Sequence, residues 1–279
     1  MSIRIASVQT LLEKTDEGNL AKASKYLDQA VAQGADIVCF PETFPGPWRR
    51  PSKFSCHAEM AALAKSRSVY MIYGTSEKLD EADTKHTISL FLLGPDGKLI
   101  GRYDRCCPPG PWLYKQGALW DVNYVGQNQL PVFETELGKI GLLVCSEVYM
   151  PELSRALAIK GAEITFLPAG IKKGPGNQWY NTWRTLMQAR ASENLMYTIT
   201  CNNLQTPNEI GLNVICSPEN ELGYLATEGV LCVTADLDRV RLLRDSSDNY
   251  FADDPFLTKP GTLREWRRPE VYSDVLAQP

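Results

Sequence analysis

Short apolar runs alternate along the chain with longer segments in which apolar positions recur every three or four residues. Residues 4–10 read as a strand, and residues 17–33 carry Leu20, Ala23, Tyr26, Leu27 and Ala30 at helical spacing before Gly34 closes the helix. The strand read over residues 36–41 is continuously apolar from Ile37 up to Pro41, as a strand buried on both faces must be. A helix over residues 55–66 leads to a strand at 69–74. Strands at 88–93 and 99–103 flank Gly94-Pro95-Asp96-Gly97, whose Asp-Gly pair predicts a hairpin.

Residues 106–129 form a loop rich in Pro, Gly and Trp, after which the alternation resumes. A second hairpin is predicted from 132–135 and 139–144 around Glu136-Leu137-Gly138. Helix 151–160, strand 164–168, helix 179–193 with its stripe Trp183, Leu186, Met187 and Ala191, and strands 196–200, 213–216 and 229–235 complete the pattern. No low-complexity linker divides the chain, so the reading is one layered α/β domain over residues 1–245. A polar tail over 246–279, with little core-forming pattern, is either solvated or packed on the domain or a partner subunit.

Composition narrows the function. Of the 279 residues, 44% are hydrophobic and 22% charged, which excludes a disordered chain, and no apolar run is long enough to span a bilayer. A net charge of -4 leaves no basic field for nucleic acid. Residues 1–6 enter structure without the features of a signal peptide, so the expected location is cytoplasmic. The eight cysteines are expected to be reduced, and none has the paired short spacing of a zinc site. With only two histidines, His57 and His86, chemistry that relies on imidazole is disfavoured. No cofactor or metal is expected.

Three residues stand out by position. Glu42, Arg105 and Cys145 each lie at or just past the end of a predicted strand, where layered α/β sheets form ligand crevices. A Cys at a turn into a helix faces backbone N–H groups and the helix dipole, which favour thiolate. The N–H of Ser146 would face the same space and could hold an oxyanion. A nearby carboxylate can take the thiol proton and later return it to a leaving amine, and a cation can stabilise the oxyanion. Such a set performs acyl transfer.

Three segments also resemble the signatures of the nitrilase superfamily of carbon-nitrogen hydrolases: Phe40-Pro41-Glu42-Thr43-Phe44, Gly141-Leu142-Leu143-Val144-Cys145-Ser146-Glu147-Val148-Tyr149-Met150-Pro151-Glu152, and Gln188-Ala189-Arg190-Ala191-Ser192-Glu193-Asn194. The resemblance implies a four-layer αββα sandwich, a homodimer or higher homo-oligomer, and a Glu-Lys-Cys triad in which the cysteine is acylated. Glu42 then falls at the general base and Cys145 at the nucleophile. In the lysine's place the segment Tyr103-Asp104-Arg105-Cys106-Cys107-Pro108 puts Arg105, preferred over Lys115 as a surrogate. Arginine keeps the charge but cannot move a proton. Family members often carry a further glutamate in the next loop, and residues 108–117 contain none.

For the substrate pocket, Trp112 is the aromatic candidate, with Tyr114 and Trp120 beside it, against a loop-anchoring role. Glu147 is read either as orienting a substrate amine or as a structural hydrogen-bonding group. Glu152, Glu193 and Asn194 are read as structural, as are Cys106 and Cys107, while Cys39, Cys201, Cys216 and Cys232 read as core. In the family that the chain resembles, members that cleave N-carbamoyl amino acids commonly place arginines a few residues after the cysteine to bind a carboxylate; residues 146–150 contain none, so a carbamoylase is not the expected activity. The expected reaction is hydrolysis of a small amide. Two alternatives stand: a nitrile attacked through a thioimidate, or a weakly active member that binds a small ligand.

Overall fold

In a computed structural model, the described residues are 1–48, 50–82, 86–107, 129–170, 179–245, 253–258, 263 and 267–276. The first sheet runs in the order β10-β1-β2-β3-β4-β5, formed by β1 (Ser2–Leu11), β2 (Ile37–Cys39), β3 (Tyr70–Lys78), β4 (His86–Leu93), β5 (Leu99–Asp104) and β10 (Asn203–Leu204). A further strand, β13 (Gly229–Asp236), lies antiparallel along β1 from Ser2 to Gln9. The second sheet runs β12-β11-β9-β8-β7-β6, from β6 (Val132–Thr135), β7 (Gly138–Leu142), β8 (Ile164–Phe166), β9 (Tyr197–Thr200), β11 (Asn213–Cys216) and β12 (Glu221–Leu225). Both predicted hairpins, β4 with β5 and β6 with β7, are antiparallel pairs.

The two-residue period of a strand sorts side chains into layers. On the first sheet Ala6, Val8, Val38, Phe40, Met71 and Tyr73 pack against α1 (Asp16–Ala32) and α2 (His57–Arg67) through Ala23, Leu27, Met60 and Ala64. The alternate set, Ile5, Ile37, Cys39, Ile72 and Leu90, joins Ile140, Leu142, Ile164, Phe166 and Ile199 of the second sheet in one buried cluster. That sheet's other face meets helices. A side chain at Gly141 would stand 2.9 Å from Leu157 of α3 (Pro151–Ile159), and Thr198 Oγ1 donates to the Met187 carbonyl of α4 (Trp179–Asn194) at 2.9 Å. Helix, sheet, sheet, helix is the αββα order.

The structure adds elements that periodicity did not predict: β10, β12, α5 (Leu237–Asp245) and, within the tail, α6 (Pro269–Leu276). Predicted strand 36–41 is shorter as a ladder because Phe40 N still bonds Ile72 O at 2.8 Å, whereas Pro41 has no N–H to continue. Past the end of β7, Leu143 N bonds Phe166 O at the end of β8 and Cys145 N bonds Pro168 O just beyond it, both at 2.9 Å. The backbone is thus pinned up to the nucleophile position. No described helix is long and apolar enough to cross a membrane.

Candidate active site

Glu42 lies three residues past β2. Its position is held by Asn203 Nδ2, which donates to the Glu42 carbonyl at 2.9 Å. Thr43 follows in the left-handed region at φ 50°, and Gly74 of β3 makes room for that bend, since a Cβ there would come 2.7 Å from the Thr43 nitrogen. Arg105 follows β5, with its N–H on Ile88 O at 2.9 Å. Cys145 opens a 3₁₀ turn (Cys145–Tyr149) at φ 51°, a costly conformation for a residue with a Cβ.

These elements bring together all three side chains singled out at strand ends. Arg105 Nη1 donates to Glu42 Oε1 at 3.0 Å, and the Cys145 thiol lies close enough to both for their charges to act on it. Gly170 N donates to Glu42 Oε2 at 2.9 Å. The other arms of Arg105 reach Ser146 Oγ at 2.6 Å and the Cys107 carbonyl at 2.8 Å. Glu42 is 3% exposed, Arg105 2% and Cys145 8%. A forked cation therefore bridges the carboxylate and the residue after the thiol in a nearly dry setting.

Burial dominates the proton affinities. It raises the Glu42 carboxyl above the ordinary glutamate value, against the lowering pull of the Arg105 charge, the Cys145 thiol and the Gly170 N–H. It pushes the Cys145 thiol up to about 12, helped by the Glu42 charge and opposed by Arg105. This corrects the expectation of a thiolate: desolvation outweighs the local backbone N–H groups, so the sulfur keeps its proton at neutral pH and needs a base to give it up. The neighbouring carboxylate is that of Glu42.

Glu147 is also corrected as a substrate-binding residue. It is fully buried, and its carboxylate accepts from Val144 N (2.7 Å), Cys106 N (2.9 Å), Cys107 N (2.8 Å) and Tyr103 OH (2.9 Å). It ties the segment carrying Arg105 to the turn carrying Cys145. Ser146 contributes its hydroxyl to Arg105, a contact the sequence reading did not foresee. Trp112, Tyr114, Lys115 and Trp120 lie outside the described residues.

The remaining polar candidates are structural. Glu152 sits in the first turn of α3, and Asn194 Nδ2 donates to Arg190 O at 2.9 Å. Glu193 pairs with Arg190 at 2.7 Å, while Arg190 Nε holds the Val148 carbonyl of the nucleophile turn at 2.9 Å. His57 bridges Tyr73 and Glu77, and His86 is buried in β4. Cys39, Cys201 and Cys216 are buried, as a core role requires, and Cys232 is partly buried, packed against the core under α1 and α2. Sequence reasoning missed Gly170, Asn203 and Tyr103. Gly170 was within reach of the same strand-end rule, because it follows β8.

Comparison with known proteins places this geometry. A family model described as carbon-nitrogen hydrolase matches residues 4–245. An N-carbamoylputrescine amidase from Arabidopsis thaliana is 27% identical, the match covering 98% of this chain and 94% of that protein. An omega-amidase from Xenopus tropicalis is 26% identical over 97% of this chain and 96% of its own. The crystal structure of a carbon-nitrogen hydrolase from Helicobacter pylori superposes with a TM-score of 0.83 at 20% identity, covering 100% of this chain and 99% of that one. With the family model spanning both sheets and every side chain of the buried cluster, the chain belongs to the carbon-nitrogen hydrolase family of the nitrilase superfamily.

Proposed function

We propose that the protein hydrolyses a small amide to an acid and ammonia or an amine, through a thioester on Cys145. The observation that carries this reading is the burial of Cys145 within the electrostatic reach of Glu42 and Arg105, while Arg105 grips the Glu42 carboxylate at 3.0 Å. Glu42 accepts the thiol proton as sulfur attacks the amide carbon. Arg105 and the Ser146 N–H stabilise the charge that collects on oxygen, an effect worth roughly 10²–10³ in rate per donor. Glu42 then passes the proton to nitrogen as the carbon-nitrogen bond breaks. A water molecule, deprotonated by Glu42, attacks the thioester, and the proton returns to sulfur as acid leaves.

Arg105 serves as a fixed charge. Its guanidinium keeps its proton throughout, so every proton in the scheme travels through Glu42. The relatives support an amide: one is named for a carbamoylated amine and another as an omega-amidase. An amine-bearing substrate needs no arginine after the nucleophile, so the lack of one in residues 146–150 weighs only against carboxylate-bearing N-carbamoyl substrates. The test is ammonia release from a panel of small amides and nitriles, with intact-protein mass spectrometry. Amides should give ammonia and a transient acyl adduct, both lost in Cys145→Ala. Ammonia from nitriles alone, or undiminished release by Cys145→Ala, would overturn the proposal.

A further inference from the structure

Two thiols that the proposed chemistry does not use stand beside the cleft. Cys106 and Cys107 directly follow Arg105, and both are partly open to solvent. Their sulfurs are 3.9 Å apart, and Cys106 Sγ is 3.2 Å from Glu147 Oε1. The three side-chain ligand atoms all lie within 4.8 Å of one another. A disulfide between the two sulfurs would need them at roughly half their present separation. Two thiolates each about 2.3 Å from one tetrahedral zinc-class ion stand roughly 3.8 Å apart, close to the spacing already present.

We propose that Cys106, Cys107 and Glu147 form an inhibitory site for a thiophilic divalent cation of the zinc class. Binding exchanges two S–H protons, released to solvent, for two sulfur-metal bonds, adds one bond from Glu147 Oε1, and leaves the remaining position to water. No electron changes hands. Tyr103 OH is 2.9 Å from both Glu147 oxygens and can stay on Oε2 when Oε1 turns to the ion. Hard cations such as Mg²⁺ and Ca²⁺ prefer all-oxygen shells and are not selected. Adjacent cysteines lack the intervening residues of structural zinc sites, which suits a reversible ion better than a permanent one.

Inhibition follows from the surroundings. Glu147 Oε1 also accepts the backbone N–H groups of Cys106 and Cys107, and the Cys107 carbonyl accepts Arg105 Nε at 2.8 Å. Drawing that oxygen and both sulfurs onto an ion reshapes residues 105–107 and pulls the guanidinium away from Glu42.

The test uses the Cys145→Ala chain, so that the nucleophile cannot contribute. Titration with Cd²⁺ should give a thiolate-to-metal absorption band saturating at one ion per chain, competed by Zn²⁺ and untouched by Mg²⁺. Adding Cys107→Ser should weaken Cd²⁺ binding tenfold or more, and adding Cys106→Ser as well should remove the band. With Cys145 intact, Zn²⁺ should suppress activity reversibly on chelation, and Cys107→Ser should resist the zinc level that suppresses the parent tenfold. A band that survives both serine substitutions, no band at all, binding without inhibition, or equal zinc inhibition of Cys107→Ser and parent would overturn the proposal. The absorption is read without turnover, so its outcome is separate from whether amides are hydrolysed.

Discussion

Arg105 is seated as an arginine. Its Nε, Nη1 and Nη2 each have a separate acceptor, on Cys107, Glu42 and Ser146, and a lysine offers one nitrogen for all of them. Loss of one charge-assisted bond is worth about 2 kcal/mol, or about thirtyfold. Arg105→Lys should therefore lower kcat/KM by roughly that factor while the protein stays folded, and a gain in turnover would mean that the pocket is shaped for lysine. The pH profile tests the other half of the pair. Glu42 must be ionised to act, and burial raises its proton affinity, so kcat/KM should fall with decreasing pH along an acid limb lying above the ordinary glutamate value of 4.5. A limb at or below that value would contradict the assignment. The same shift means that this carboxyl's contribution to stability is present below the unfolded value and is lost as pH rises through the folded one.

At the scale of elements, the site depends on how the ends of β5 and β7 are tied together. Glu147 does this through three backbone N–H groups and the Tyr103 hydroxyl. Replacing one carboxylate oxygen by an amide turns an acceptor into a donor facing donors, at a cost on the order of 3 kcal/mol. Glu147→Gln should lower the melting temperature and reduce kcat far more than KM, because Arg105 and Cys145 lose their common anchor. A change confined to KM would instead argue that Glu147 meets the substrate. From residues 146–150 a structural hydrogen-bonding role for Glu147 was one of two readings, but its partners were not legible there. Its role depends on Cys106 and Cys107, about 40 positions away in sequence.

For the whole molecule, closure of the C-terminal end of the domain matters. Strand β13 returns to β1 across more than two hundred residues, and α5 follows it with Leu237 and Val240 in the cluster shared by the two sheets. Arg244 of α5, with burial pulling it down to about 10, donates to the carbonyls of Leu195 (2.8 Å), Ala162 (2.6 Å) and Asn194 (3.1 Å), at or just past the ends of α3 and α4. These are the negative ends of two helices. Arg244→Met should cost on the order of 3 kcal/mol in urea denaturation by leaving those acceptors unsatisfied, with kcat of the folded fraction unchanged. An equally stable variant would show that water replaces the guanidinium. Leu237, Val240 and Leu243 do recur at helical spacing in α5, inside the domain read over residues 1–245, but its many charged residues hid that pattern.

The linear chain determined where most strands and helices run, because burial on one face or two leaves its period in the order of residues, and it marked Glu42, Arg105 and Cys145 because ligand crevices form where buried strands end. Tertiary structure alone decided that the thiol keeps its proton, that the arginine grips the base, and that Glu147 and Gly170 serve the backbone around them. Those properties arise from desolvation and from donors supplied by distant segments. Neither has a counterpart in local sequence.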